Sequence, residues 1–311
     1  MSRSRWIVIP ILILLVAQIV RSEHKPRIAI IRSRDITPFN RAVEGFKSVV
    51  NGEIHEYDMS GELRNSGYIR EIIQARGYDL IFAVGTPAAI TASQIERIPS
   101  VYCMVINPDR FGLQHKRHMT GVSARLPAQL TLAKFKEVIP NLRRIGVIYN
   151  PDKTGYLVDE AKTAADKLHL RLVERPVEAR RDIASSLREL WGRIDALWLL
   201  PDPVLLWEDT FRYMAAEATA RGVPIFAFSR SMVKSGAFAA VLPDYRGMGI
   251  QAGWLARKVL QGYSSSKLRL VQPISCRMAL NVKIAKLLGI DLPKNIIENA
   301  EIFPKSEGGG G

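Results

Sequence analysis

Residues 78–87 read Tyr-Asp-Leu-Ile-Phe-Ala-Val-Gly-Thr-Pro, a continuous apolar run closed by a turn, and the fold class follows from it. An apolar run without polar alternation is a strand buried on both faces, which implies a parallel sheet covered by helices. Gly85 makes the tight turn, Thr86 offers an N-cap hydroxyl, and Pro87 suits the first position of a helix. The same grammar extends in both directions. Strands are expected at 27–31, 54–57 and 101–106, and helices at 41–50, 68–76 and 87–94. The pattern then restarts: helices at 126–139, 156–168, 183–191 and 207–221 alternate with strands at 145–149, 170–173, 196–200 and 224–228. Such alternation predicts an α/β protein with parallel sheets.

The two halves echo each other. Arg27-Ile28-Ala29-Ile30-Ile31 matches Arg144-Ile145-Gly146-Val147-Ile148, and Tyr78-Asp79-Leu80-Ile81 matches Ile194-Asp195-Ala196-Leu197 at nearly the same offset. Duplicated Rossmann-like lobes explain this, and convergent strand preferences give the same echo. Gly121-Val122-Ser123 reads as a first crossover strand, followed later by a strand at 237–242, a helix at 247–260, a strand at 277–280 and a helix at 282–288. The expected division is lobe 1 at 27–121 plus about 244–270, and lobe 2 at 122–243 plus about 271–303. Residues 304–311, ending in four glycines, form a flexible tail.

The chain has 311 residues, is 47% hydrophobic and carries only two cysteines, which excludes a disordered chain and a disulfide scaffold. Trp6 to Val20 is apolar apart from Gln18, preceded by Arg3 and Arg5. At about 1.5 Å per residue it reaches about 22 Å, short of the roughly 30 Å of a bilayer core. Residues 1–22 therefore read as a secretory signal, with an uncleaved anchor as the alternative, and the mature chain is expected outside the cytoplasmic membrane. The net charge of +14 is scattered rather than blocked, with the densest cluster at His115-Lys116-Arg117-His118. Export and scatter argue for a solvated basic surface and against nucleic acid as partner.

In open parallel sheets ligands bind beyond the carboxyl ends of the strands, near helix N-termini. Those ends here carry Ser33, Gly85-Thr86-Pro87-Ala88, Asn107-Pro108, Tyr149-Asn150-Pro151, Pro201-Asp202-Pro203 and Phe228-Ser229-Arg230. Each is an ordinary turn builder by itself; their recurrence at successive strand ends is the signal. Asp202 is expected to hold an amine and the turn after Gly85 a carboxylate. Tyr149 or Trp207 could stack on a planar group, although a tryptophan more often fills the core. Alanine at Asp202 or Asn150 is expected to weaken binding without unfolding the chain.

The run Gly85-Thr86-Pro87-Ala88-Ala89, the segment from Ile139 to Pro151 and that from Asp195 to Pro203 resemble the ABC-transporter substrate-binding protein family that includes tryptophan/tyrosine binders. Gly249-Ile250-Gln251-Ala252-Gly253 and Asn281 to Ile290 are similar too, so the resemblance runs from Arg27 to about Phe303. It implies a type I periplasmic-binding fold of two lobes, three hinge crossings and a cleft. It also implies that the third crossing returns the helix from Gly247 to lobe 1. The resemblance implies that the family's cleft turns fall on Thr86-Pro87-Ala88, Asn107-Pro108, Tyr149-Asn150 and Asp202. Where many relatives carry His-Pro after the first strand, this chain has Ser33-Arg34-Asp35, and Arg34 and Arg110 bring positive charge to the cleft mouth. These departures point away from an aromatic amino acid as ligand.

There is no Gly-x-Gly-x-x-Gly, phosphate-loop lysine, His-Glu-x-x-His or Gly-x-Ser-x-Gly motif. The sequence offers no paired nucleophile and base, metal-ligand set or cofactor motif. His115 and His118 lack carboxylate or thiol neighbours in sequence, and Cys103 and Cys276 read as thiols rather than a pair. The expected protein is a monomeric, non-enzymatic solute receptor that closes on a small polar, amino-acid-like molecule and presents it to an ABC permease. A ligand-sensing receptor domain coupled to a signalling partner is the alternative.

Overall fold

The computed structural model describes residues 25–304, so the signal or anchor and nearly all of the expected tail lie outside the described residues. In the first unit β1 (Arg27–Arg32), α1 (Thr37–Lys47), β2 (Glu53–Asp58), α2 (Ser66–Arg76), β3 (Leu80–Val84), α3 (Thr86–Ser93), β4 (Ser100–Val105) and β5 (Met119–Ser123) follow in chain order. All their pairings are parallel, in the order β2-β1-β3-β4-β5. β3 is buried along its whole length, as its unbroken apolar run requires.

The second unit holds α4 (Ala128–Val138), β6 (Arg144–Tyr149), α5 (Pro151–Lys167), β7 (Arg171–Pro176), α6 (Ile183–Leu190), β8 (Ala196–Trp198), α7 (Glu208–Ala220), β9 (Ile225–Ala227), α8 (Arg230–Lys234) and β10 (Ala239–Pro243). After α9 (Tyr245–Leu260) come β11 (Cys276–Asn281), α10 (Val282–Leu287), α11 (Lys294–Asn299) and β12 (Ala300–Phe303). The second sheet runs β12-β11-β10-β9-β8-β6-β7, parallel except for β10 against β11. Its core order, β7-β6-β8-β9-β10, repeats that of the first sheet strand for strand. The echoed residues do the same work in both units. The Arg27 amide donates to Asp79 at 2.8 Å, and the Arg144 amide donates to Asp195 at 2.7 Å.

Two expectations are corrected, and two elements are new. Residues 121–123 belong to β5, the edge strand of the first sheet, so that sheet ends at Ser123 rather than at Gly121. The second crossing, at Pro243 to Tyr245, takes α9 to the first unit, and the third returns the chain to β11. Helix α9 lies on α1 with glycines at the contact: a Cβ on Gly45 would fall 2.1 Å from the Arg246 carbonyl, and one on Gly249 1.9 Å from that of Ala42. Finally, α11 and β12 were not expected. Ala300–Phe303 is too short to announce itself, and it becomes a strand because β11 offers it a parallel partner.

Each sheet is covered on both faces. In the first, α1 and α9 cover one face and α2 and α3 the other. Phe46 of α1 stacks on Phe82 of β3 with centroids 4.0 Å apart. Emptying such a site by Phe→Ala typically costs about 3–5 kcal/mol. In the second, α4, α5, α10 and α11 face α6, α7 and α8 across the sheet. Among the described residues no helix is long and apolar enough to cross a membrane.

Candidate functional site

All three crossings join carboxyl edges. The first leaves the end of β5, the second the end of β10, and the third enters β11 beside the end of β10, with Pro243 opposite Cys276. The carboxyl edges of the two sheets therefore face each other across a cleft. Hydrogen bonds hold the crossings together: the Ser123 amide donates to the Val271 carbonyl at 2.9 Å, and the Ser275 hydroxyl to Asp244 at 3.2 Å. Gln251 of α9 clamps the third crossing, donating to the Gln272 carbonyl at 3.0 Å and accepting from the Ile274 amide at 3.2 Å. Among the described residues no hydrogen bond or ion pair joins the strand-end loops of one unit to those of the other. The cleft is open.

On the first unit Gly85 takes φ +89°, and a Cβ there would lie 2.6 Å from Ser33 Oγ and 2.8 Å from the Phe39 ring. This turn starts the helix one residue early, so Gly85 is the N-cap, Thr86 is the first helical residue, and Thr86 is not the cap its hydroxyl suggested. Capping comes from the neighbouring strand instead: buried Ser33 accepts from the Ala88 amide at 3.0 Å. Ala88 is itself fully buried, so its side chain packs in the core. That arrangement leaves the half-buried Thr86 with an amide and hydroxyl that have no partner among the described residues at the start of α3, where such groups favour an anion. Pro87 is half-buried beside it, and Asn107 is exposed after β4.

On the second unit the predicted residues mostly hold the loops in place. Asp202 is 0% exposed and accepts from the Asn150 amide at 2.7 Å, the Val204 amide at 2.9 Å and the Thr154 hydroxyl. It ties the loop after β6 to the loop after β8 and has no open face for an amine. Asn150 caps α5, accepting from the Asp152 amide at 3.0 Å and donating to the Glu178 carbonyl at 3.2 Å. Ser229 caps α8, accepting from the Met232 amide at 3.3 Å. Tyr149 reaches along β7 instead, its hydroxyl donating to Glu174 at 3.1 Å. Burial and then the Glu174 carboxylate push that phenol above its ordinary pKa.

Trp207 departs from the core placement that its type favours. It is 60% exposed beside the equally open Leu206, in the loop between β8 and α7, with the Arg180 guanidinium 5.7 Å from its ring centroid. β6 and β8 lie side by side but send their helices to opposite faces, so this loop sits at the switch point of the sheet. The sequence did carry a signal: Leu199, Leu200 and Leu205 already satisfy the core on either side of Pro201 to Pro203, leaving nothing for Trp207 to fill. Nearer the crossings, Asn107, Ser123, Arg125 and Gln272 line a cavity of about 640 Å³ on the first unit, to which the second contributes Tyr156. Arg125 stacks on Tyr156 at 5.8 Å and pairs with Glu160. Arg34 and Arg110 are both exposed.

The remaining motifs separate. Cys103 and Cys276 lie on different sheets and are both free thiols. His118 is half-buried, and desolvation lowers its pKa, while His115 sits in a one-turn 3-10 helix. Among the described residues no cluster of three metal-binding side chains forms.

Comparison with known proteins gives a consistent result. A family model described as ABC transporter substrate binding protein matches residues 38–303. A tyrosine-binding protein of Clostridioides difficile (strain R20291) is 26% identical over 279 residues, covering 86% of this chain and 80% of its own length. Among solved structures, the ligand-free, open form of a substrate-binding protein with adhesive properties from Clostridium difficile is similar with a TM-score of 0.73 at 24% identity, over 89% of this chain and 98% of that one. An ABC domain in complex with L-Trp from Streptococcus pneumonia gives 0.54 at 22% identity, over 89% and 100%. Both likenesses show the type I periplasmic-binding fold. The family and these relatives are binding proteins rather than enzymes.

Proposed function

We propose, because the chain belongs to the ABC transporter substrate-binding protein family, that it works as an exported receptor that closes its two units on a small solute and presents it to a membrane permease. The observation that carries this reading is the three-crossing hinge, which sets two carboxyl edges face to face with, among the described residues, no hydrogen bond or ion pair between their strand-end loops. A ligand touching both edges favours the closed form by the difference in its contacts between the two states.

The uncommitted Thr86 amide and hydroxyl favour a carboxylate on the first unit, and exposed Leu206 and Trp207 favour an apolar or planar group on the second. An amino-acid-like solute fits both, in keeping with the tyrosine named for one relative and the L-Trp bound by another. Asp202 and Asn150 belong to the frame of this site rather than to its surface. The exported location rests on the N-terminal apolar run and on the family.

The test combines two measurements on one protein. A thermal-shift screen of free amino acids and small carboxylates finds the ligand, and X-ray scattering follows the radius of gyration. A ligand that raises the melting temperature and contracts the particle is expected, with affinity reduced in Thr86→Val and Trp207→Ala. Binding without contraction would refute the closing mechanism.

A further inference from the structure

The two units differ in charge at the amino ends of their first two strands. In the first, Arg27 stands directly opposite Glu53 across β1 and β2, and the two pair at 3.6 Å. In the second, Arg144 stands directly opposite Arg171 across β6 and β7. Like charges in register on neighbouring strands are destabilising, so the fold itself does not ask for this arrangement. The flanking positions shift the same way: where the first unit has Pro26 and Asn51, the same register places Arg143 and His169 in the second.

The carboxylate at this end does not balance the cations. Asp195 is taken by the Arg144 guanidinium at 2.7 Å and by the amides of Arg144 and Arg143 at 2.7 and 3.1 Å. Lys136 of α4 is satisfied too, its ammonium donating at 3.0 Å to the Leu168 carbonyl at the end of α5, where a cation suits the helix dipole. No side-chain or backbone partner exists among the described residues for the exposed guanidiniums of Arg143 and Arg171. Together Lys136, Arg143, Arg144, His169 and Arg171 line one basin of about 890 Å³. It lies at the opposite edge of the sheet from the cleft.

We propose that this basin is an anion site that takes a phosphate-bearing ligand. Two uncompensated guanidiniums match a dianionic group in charge, and their forked N–H donors match its oxygens in geometry. Binding there supplies Arg143 and Arg171 with the counter-charge that Asp195, taken by Arg144, does not give them. The phosphate source is a soluble phosphate ester or a lipid headgroup.

The test uses the folded full chain at low ionic strength, where such attraction is least screened. Pyrophosphate is titrated by calorimetry into the wild type, Arg143→Ala, Arg171→Glu and Arg181→Glu. Arg171→Glu restores the opposite-charge pair of the first unit. Arg181→Glu makes the same charge change at the far edge of the sheet. Saturable binding to the wild type is expected, weakened tenfold or more in the first two variants and within twofold of wild type in Arg181→Glu. No binding, or equal loss in all three variants, overturns the proposal, since the latter means diffuse attraction to a chain of net charge +14. Co-sedimentation with phosphatidylglycerol vesicles that the same two variants abolish assigns the site to headgroups. Pyrophosphate binding without vesicle binding assigns it to soluble phosphates.

Discussion

Replacing Asp202 by alanine is expected to damage the fold before it damages recognition. The carboxylate is wholly buried and satisfies three donors: the Asn150 and Val204 amides and the Thr154 hydroxyl. Each donor left buried without a partner costs about 1–3 kcal/mol. Water entering the vacated volume recovers part of this, which leaves a net loss of about 3–5 kcal/mol. That is a large share of the roughly 5–15 kcal/mol by which domains are stable. At about 2–4 °C per kcal/mol for a chain of this size, the melting temperature falls by about 10 °C. Urea unfolding followed by tryptophan fluorescence measures the change, with buried Trp198 in the adjoining strand as reporter. Asp202→Asn, which keeps one acceptor oxygen, falls between the two. A variant Asp202→Ala of wild-type stability that no longer binds ligand would refute the reasoning, because only a carboxylate facing the cleft behaves that way.

Gly85→Ala forces a side chain into positive φ and against Ser33 and Phe39, so a loss of about 1–3 kcal/mol with weakened ligand affinity is expected by denaturation and calorimetry. Burial pushes the Cys103 thiol up to about 12, so an aromatic disulfide reagent at pH 8 should label only Cys276 in the folded protein and both thiols after unfolding; equal native rates contradict this placement. Burial alone would raise the Asp195 carboxyl, but the Arg144 guanidinium and the amides of Arg144 and Arg143 outweigh it and hold the group below its ordinary value. A depressed folded pKa contributes stability above the unfolded value of about 4, lost as pH falls through the lower folded one. Asp195→Asn should therefore lower stability at pH 7 and flatten its acid dependence, read from melting temperature against pH.

Much of the frame is written in local chemistry. Leu80–Val84 reads as a strand with two covered faces, and its echo at Ala196–Trp198 announces a second parallel sheet, whose strand order only the structure gives. Pro87, Pro151 and the polar turns marked every carboxyl edge, so the position of the cleft was legible as well. The duties of the individual residues were not. Ser33 caps a helix that begins more than fifty residues later, because parallel pairing brings β1 beside β3. Asp202 finds Asn150 and Thr154 only because β6 and β8 are neighbours. A side chain's partners depend on which strand lies alongside, and that is settled by the whole sheet.

The sequence by itself determined the class of fold, the repeat and the edge at which a ligand would sit, since hydrophobic period and turn chemistry act over a few residues. Tertiary structure alone decided which polar groups remained open. It withdrew Asp202, Asn150 and Ser229 into structural bonds, left Thr86 and Trp207 at the surface, and set Arg144 against Arg171. The physical reason is that hydrogen-bond satisfaction and charge balance are properties of neighbours in space, and the chain chooses those neighbours only when its sheets close.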